Sequence, residues 1–359
     1  MERKPLSQER LVNIEQKYDT IIQKYAEARP NIRSFFGPMY DRDLDRDTDR
    51  LSYKQIAVAA RYDRRPEQED EEKDDKALEG VIYYMGQHGQ LFNTPHYAEA
   101  SCDFDDLFNG ADVCLGLPNP SHHDIVLSID ACSATDRRAV AEKFAKSDSY
   151  TTVPGCSYLK YYRHDRRQAR IPFTPHYILG ANPAEIQRAV PGFDISNPSS
   201  ISNEVDEDLR RKLLIELAYQ SSCHRMTCEN AIAEGRTQLP NKNDGAMRFQ
   251  EAMAAHEKVL HESLAALRQS FGVERGDLTK AIDKFFDRSD DPTFREIVTQ
   301  SRARLVPQGQ KRRARRAQHS AAISRGAQPT PPITYKENTA QADTEQQTPA
   351  AQTDSHPAA

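Results

Sequence analysis

Two aspartates at the ends of neighbouring apolar runs are the first residues whose type and spacing could support chemistry. Asp112 opens the run 112–117 and Asp130 closes the run 125–130, with Pro, Asn, Ser and His between them. Such a turn predicts an antiparallel hairpin, in which those two ends lie side by side. Two buried carboxylates repel one another unless a cation lies between them. The hard cations that carboxylate oxygens select are Mg²⁺ and Mn²⁺.

Two other side chains are expected near this pair. Glu79 lies on a predicted buried helix around 77–85, and Lys143 lies on a predicted helix over 136–145. We expect Glu79 to face the same edge of the sheet, and Lys143 to place an ammonium beside a metal and its water. The alternative is that Asp112 and Asp130 only cap strand ends and contact solvent.

The order of these residues resembles the PD-(D/E)XK nuclease superfamily. The resemblance covers roughly residues 77–180 and depends on Glu79, on the stretch 105–113 ending in Asp112-Val113, and on 129–132 with Asp130. It implies a small mixed sheet flanked by helices, and cleavage of DNA or RNA with Mg²⁺. By position, Asp112 would be the first metal-binding carboxylate, Asp130 the second, and Glu79 an accessory acid.

One position departs from the family pattern. The pattern has Lys two residues after the second acid, where this chain has Cys132. The lysine would then come from the next helix as Lys143, with Lys160 a weaker substitute. The expected function is a Mg²⁺- or Mn²⁺-dependent nuclease that hydrolyses phosphodiester bonds, in DNA more than RNA. The alternative is a non-catalytic nucleic-acid-binding or scaffolding protein with an inactive nuclease-like core.

Basic residues interleaved with tyrosines suggest contact with nucleic acid. Such groups hold phosphates and stack on bases, and the alternatives are a strand edge with a solvated loop and an ordinary tail. The predicted contact residues are Lys160, Tyr161, Tyr162, Arg163, Arg166 and Arg167, followed in the tail by Lys311, Arg312, Arg313, Arg315 and Arg316.

Apolar periodicity predicts the surrounding elements of an α+β fold. Helices are expected over 7–29, 208–233, 246–271, 278–286 and 292–305, and strands over 158–162 and 177–180. The charge runs 41–50 and 67–75 are interpreted as solvated linker or helix faces. The predicted organisation is an N-terminal helix with an acidic linker (1–76), a PD-(D/E)XK-like core (77–185), a helical region (186–306) and a disordered tail (307–359). The helical region is the expected contact of a homodimer.

Composition excludes several other classes of protein. The 359 residues include 49 Lys and Arg against 54 Asp and Glu, a net charge of -5 that gives no global attraction to nucleic acid. There is no apolar run long enough for a membrane span and no apolar stretch after the N-terminus, so we expect neither a membrane anchor nor a secretory signal. The six cysteines are then expected as reduced thiols in a cytoplasmic protein.

Overall fold

The computed structural model describes residues 8–62, 67–119, 123–165, 167–190, 206–239 and 244–305. All of them belong to a compact unit that covers residues 1–306. Arg166, the five tail residues Lys311, Arg312, Arg313, Arg315 and Arg316, and the predicted disordered tail lie outside the described residues.

The helices fall largely where periodicity predicts them. Their bounds are α1 Gln8–Ala28, α2 Leu44–Tyr62, α3 Glu67–Gln87, α4 Asp103–Asn109, α5 Arg137–Ser147, α6 Pro183–Ala189, α7 Glu207–Ala233, α8 Gly245–Phe271, α9 Leu278–Arg288 and α10 Pro292–Leu305. None of these helices has the length and apolar character needed to cross a membrane. The helices α4 and α6 were not predicted, since each is only seven residues long.

Five strands form one mixed sheet. They are β1 Tyr97–Ala100, β2 Val113–Leu117, β3 Ile125–Cys132, β4 Cys156–His164 and β5 Arg167–Gly180, in the order β1-β2-β3-β5-β4. The hairpin β2–β3 is antiparallel as predicted, with Val113 opposite Ile129. The strand β5 pairs parallel to β3 and antiparallel to β4. The predicted α+β fold class, with a mixed sheet followed by a helical region, is confirmed.

The sheet is covered by helices on two sides. Leu78, Val81, Ile82 and Met85 of α3 are fully buried in the main apolar cluster, which also holds Leu127 of β3. A smaller cluster joins Cys132 to Val140 and Phe144 of α5, Ile178 of β5 and Ile297 of α10. Burial of these apolar surfaces fixes α3 and α5 against β3, and both helices carry predicted site residues.

Most of the charge run 41–50 lies in α2, the run 67–75 lies in α3, and Asp47 in the first run is not solvated. Asp47 of α2 is fully buried, where it accepts hydrogen bonds from Tyr161 Oη at 2.8 Å and from the Lys160 ammonium. The interpretation of 41–50 as a solvated face is therefore wrong at this residue, because a buried lysine compensates its charge. The expected boundary between residues 76 and 77 falls inside α3.

Candidate active site

Asp112 lies immediately before β2 and is almost fully buried. Its backbone N–H donates to the Ile129 carbonyl at 2.8 Å, and its Oδ2 accepts from the Ala131 N–H at 2.7 Å. The Tyr25 hydroxyl of α1 donates to its backbone carbonyl. Burial raises the pKa of the Asp112 carboxyl well above its usual range, and the charges of Glu79, Asp106 and Asp130 raise it further. Burial and the like charges around it therefore disfavour a negative charge on this carboxyl unless a proton or a cation offsets it.

Asp130 and Lys143 form an ion pair at the end of β3. Lys143 Nζ lies 2.7 Å from Asp130 Oδ1 and also donates to the Ala131 carbonyl. The helix α5 that carries Lys143 begins after Asp136, whose side chain caps it by accepting from the Arg138 N–H. Burial opposes the charge of Lys143, yet its pKa is raised well above the usual value, chiefly by Asp130. The PD-(D/E)XK pattern has a lysine at position 132, where this chain has Cys132. Lys143 of α5 places its ammonium beside Asp130 instead.

Glu79 on α3 is buried beside a second basic residue. Lys76, one helical turn earlier, places its Nζ 2.8 and 3.0 Å from the two Glu79 oxygens. Burial raises the pKa of Glu79 to about 7, although the Lys76 ammonium opposes this rise. A carboxyl with such a pKa exchanges its proton near neutral pH.

Asp106 on α4 joins the group as a fourth carboxylate. It pairs with Arg29 at 2.7 Å and with Lys76 at 3.3 Å, and it accepts a hydrogen bond from the Asp112 carboxyl. These cations hold the pKa of Asp106 well below its usual range in spite of its burial. Arg29 also lies 3.8 Å from Glu79, so α1, α3 and α4 meet here. We call Glu79, Asp106, Asp112 and Asp130 the acidic centre.

The donor set of the acidic centre suits a hard divalent cation. It offers only oxygen atoms, and within the described part of the chain Asp112 makes no ion pair with a basic side chain. No three His, Cys, Asp or Glu side chains among the described residues are arranged to hold a metal as they stand. Lys76 instead bridges Glu79 and Asp106, and Lys143 pairs with Asp130. The oxygen donors are of the kind that Mg²⁺ or Mn²⁺ selects, and a cation that bound there would have to displace these lysines.

Three residues of this arrangement were missed in the sequence. Lys76 stands three residues before Glu79, a spacing that places both on one face of α3. Asp106 lies inside the stretch 105–113 that carries the resemblance. Arg29 follows the last residue of α1 and gives no local signal, because its partner Asp106 is 77 residues away.

Of the predicted nucleic-acid contacts, the five that the structure describes do not form one exposed surface. Tyr161 and Tyr162 are buried, and Lys160 is buried against Asp47 and Asp43, so these three offer no free face to a base or phosphate. The sequence pattern misled because both faces of β4 are covered over residues 159–162, so consecutive side chains are buried there. Arg163 packs over the ring of Phe35, while Arg167 at the start of β5 is exposed. Lys160 forms an ion pair with the buried Asp47, so it is not available as the substitute lysine.

Comparisons with known proteins found no matching family model, no matching curated protein and no matching solved structure. The functional assignment therefore depends on the geometry of the acidic centre and on the resemblance of its residues to the PD-(D/E)XK pattern.

Proposed function

We propose that this chain is a divalent-metal-dependent nuclease that hydrolyses phosphodiester bonds, in DNA more than in RNA. The observation that carries the proposal is the position of Lys143, whose ammonium lies 2.7 Å from Asp130 beside the buried Asp112. The resemblance requires a lysine next to the second acid, and Cys132 cannot supply it. An ammonium delivered from α5 supplies the same charge at that place.

Each residue of the acidic centre has a chemical part in this function. A bound Mg²⁺ or Mn²⁺ would supply Lewis acidity, which lowers the pKa of water and offsets negative charge on the phosphate. Asp112 and Asp130 would hold the cation, with Glu79 as the accessory acid. Lys143 stabilises the negative charge that develops on a phosphate oxygen and orients the attacking water. Glu79, with a pKa of about 7, accepts or releases a proton at neutral pH.

The substrate would approach from the side of the two lysines. The side chains of Lys143 and Lys76 are 27% and 30% exposed, whereas those of Asp130 and Glu79 are 8% and 3% exposed. A phosphate therefore meets positive charge first, and the carboxylates lie behind it. This arrangement suits an anionic substrate, which bare carboxylates would repel.

A second candidate is the non-catalytic nucleic-acid-binding or scaffolding protein. It is favoured by the ion pairs of Lys76, Lys143 and Arg29, which already neutralise most of the acidic centre without a metal. In that case the cluster would be structural, and removal of its charges would change stability and not catalysis.

The deciding experiment incubates the full chain with plasmid DNA, single-stranded DNA and RNA, with Mg²⁺, Mn²⁺ or EDTA. Asp130→Asn is compared with Asp165→Asn, whose carboxylate is 85% exposed at a backbone φ of 46° that asparagine tolerates. We expect metal-dependent cutting by the wild type and by Asp165→Asn. Asp130→Asn should cut on the order of 100-fold more slowly, the scale of losing one preorganised electrostatic group.

Calorimetric titration with Mn²⁺ gives a readout that does not depend on cutting. The wild type should bind the cation and Asp130→Asn should not. Cutting that survives in Asp130→Asn would place the activity elsewhere or in a contaminant. No cutting and no cation binding by the wild type would favour the non-catalytic candidate.

A further inference from the structure

The last turn of α4 is contacted from two sides by side chains that the acidic centre does not use. On one side, the ammonium of Lys54 from α2 donates to the Leu107 carbonyl and lies 4.4 Å from the ring centroid of Phe108. On the other side, Tyr150 packs against Gly110, the residue that ends α4. Lys146 of α5 lies over the Tyr150 ring, with its Nζ 5.8 Å from the centroid. The same helix carries Asp106 into the acidic centre.

Lys54 of α2 and Lys146 of α5 are like charges, and Lys146 lies close enough to Lys54 to affect its pKa. In the described part of the protein neither makes an ion pair, and Lys54 donates only to a carbonyl. Burial lowers the pKa of Lys54, and the repulsion from Lys146 and Arg50 lowers it further, while Asp106 opposes this. Two ammonium groups near one helix end, neither of them in an ion pair, favour an anion there.

The Tyr150 hydroxyl is a third and independent observation that points to a bound ligand. Its oxygen is buried and has no hydrogen-bond partner among the described residues. The pKa of Tyr150 is raised well above its usual range by burial and by the negative charges of Asp130, Asp112 and Asp106. The hydroxyl is therefore a donor that stays protonated close to the acidic centre. Leaving such a donor unpaired is costly, and a ligand oxygen would satisfy it.

We infer that Lys54, Lys146 and Tyr150 form a phosphate-binding subsite beside the acidic centre, which takes a backbone phosphate of a nucleic-acid strand. The two ammonium groups offset the phosphate charge, and the Tyr150 hydroxyl donates to one of its oxygens. Such contacts position the strand without reading its sequence. This inference rests on the proposed nuclease function, because it names where the substrate of that same centre is held.

A structural role explains only part of this arrangement. Lys54 satisfies a carbonyl at the C-terminal end of α4, as basic residues often do, but that uses one of its three N–H groups. Lys146 is exposed in the last turn of α5, where the helix dipole favours a cation, and it lies over the Tyr150 ring. The dipole does not account for its position beside Lys54, which it repels.

The test measures binding of a labelled DNA duplex to the full chain in EDTA, over a range of salt concentrations. Lys146→Gln is compared with Arg138→Gln on the first turn of the same helix, where Arg138 is 84% exposed and paired with Glu142. We expect Lys146→Gln to bind about 3–10-fold more weakly and to lower the salt slope by about 1, as for one lost phosphate contact. Arg138→Gln should match the wild type. Since the basic run 311–316 is present in every variant, the differences isolate the subsite.

Lys54→Gln and Tyr150→Phe complete the set, each with a thermal melt to detect a change in fold. Both should weaken binding without lowering the melting temperature enough to unfold the chain. If Lys146→Gln and Tyr150→Phe bind DNA as the wild type does, with the same salt slope, the subsite is wrong even if the wild type cuts DNA. If Lys146→Gln weakens binding by a wild type that never cuts, the subsite stands and the nuclease proposal fails. A wild type that neither binds nor cuts overturns both.

Discussion

Two buried clusters of acidic and basic side chains in this molecule have similar composition but differ in how far their lysines are exposed. The acidic centre gathers four carboxylates around Arg29, Lys76 and Lys143. A second group, which we call the closing cluster, gathers Glu185, Glu216 and Asp291 around Lys212, where α6, α7 and α10 meet.

Backbone N–H groups bind two of the three carboxylates of the closing cluster. Asp291 Oδ1 accepts from the Thr293 and Phe294 N–H groups at the start of α10, and Glu216 Oε2 accepts from the Gly180 N–H at 2.8 Å. The side chain of Lys212 is only 4% exposed. These contacts join three helices to the end of β5, although Glu185 Oε2 and Glu216 Oε1 have no hydrogen-bond partner among the described residues.

Among the described residues of the acidic centre, one buried carboxyl has no paired base and the lysines are partly exposed. Asp112 has no basic partner in the described structure, and the lysines that neutralise its neighbours are partly exposed. Glu216 of the closing cluster is likewise a buried acid that makes no ion pair in the described structure, so such an acid alone does not distinguish the two clusters. The difference is that a ligand can reach the lysines of the acidic centre, whereas Lys212 is almost fully buried.

The largest contrast is expected from removing one lysine in each cluster. Lys212→Met leaves two buried carboxylates without their cation and should lower the free energy of unfolding by about 3–5 kcal/mol. Lys143→Met should cost only about 1–2 kcal/mol, because Lys143 is partly hydrated, yet it should abolish DNA cutting. Urea denaturation of the two variants measures this. Equal losses of stability would remove the distinction between the clusters.

A smaller effect is expected at the glycine beside the acidic centre. Gly110 has a φ of 63°, and a Cβ there would overlap the Tyr150 hydroxyl, whereas Gly89 has a φ of 66° and open space. Gly89→Ala should cost about 1 kcal/mol from backbone strain, and Gly110→Ala should cost about 1–3 kcal/mol more from overpacking. Thermal and urea melts measure both. A Gly110→Ala variant as stable as Gly89→Ala would show that Tyr150 is not held against α4.

The smallest effect is a pH dependence in the closing cluster. Burial, with a hydrogen bond that the protonated Glu185 carboxyl donates to Asp291, raises the pKa of Glu185 to about 7. The folded state then binds more protons than the unfolded state, so this group stabilises the protein below about pH 4.5 and loses that effect as the pH rises to about 7. Glu185→Gln should reduce the fall in stability between pH 5 and 7 by on the order of 1–2 kcal/mol.

The control for this measurement is to repeat it in the presence of Mg²⁺. The pH dependence that Glu185 causes should be the same with and without Mg²⁺, because the buried Lys212 ammonium already pairs with Glu185 and Asp291. Glu234→Gln, at an exposed glutamate, should leave the pH profile unchanged. A Mg²⁺-dependent change that Glu185→Gln removes would mean that the closing cluster binds the cation.

The sequence predicts the elements better than it predicts the charges around the site. The long helices and the hairpin β2–β3 follow from apolar periods that tertiary packing reinforces. The strand β1 was missed because Tyr-Ala-Glu-Ala is short and has no β-branched residue. The helix α4 was missed because its seven residues include three aspartates that look like solvated loop.

In the candidate site, too, local spacing predicts some residues and misses those that long-range packing brings in. Asp112 and Asp130 follow from the hairpin, and Lys143 follows from the helix next in sequence, so local spacing is enough to place them. Arg29 meets Asp106 only through the packing of α1 against α3, which local spacing does not show. Lys160 and Tyr161 look like surface residues in the sequence, since their partner Asp47 is more than 110 residues away.

The contact between α1 and Asp112 bears on when the acidic centre can form during synthesis of the chain. Tyr25 reaches the backbone of Asp112 across 87 residues, and β3 gains its second neighbour only when residues 176–180 of β5 are available. Contacts of such long sequence separation form late in folding, since a large loop must close before they stabilise the chain. A nascent chain that has emerged only as far as Lys143 carries every acid and lysine of the centre without the strand that completes their sheet. Cutting activity would therefore report the completion of long-range folding, in contrast to helix content, which rises as soon as α1 and α3 form.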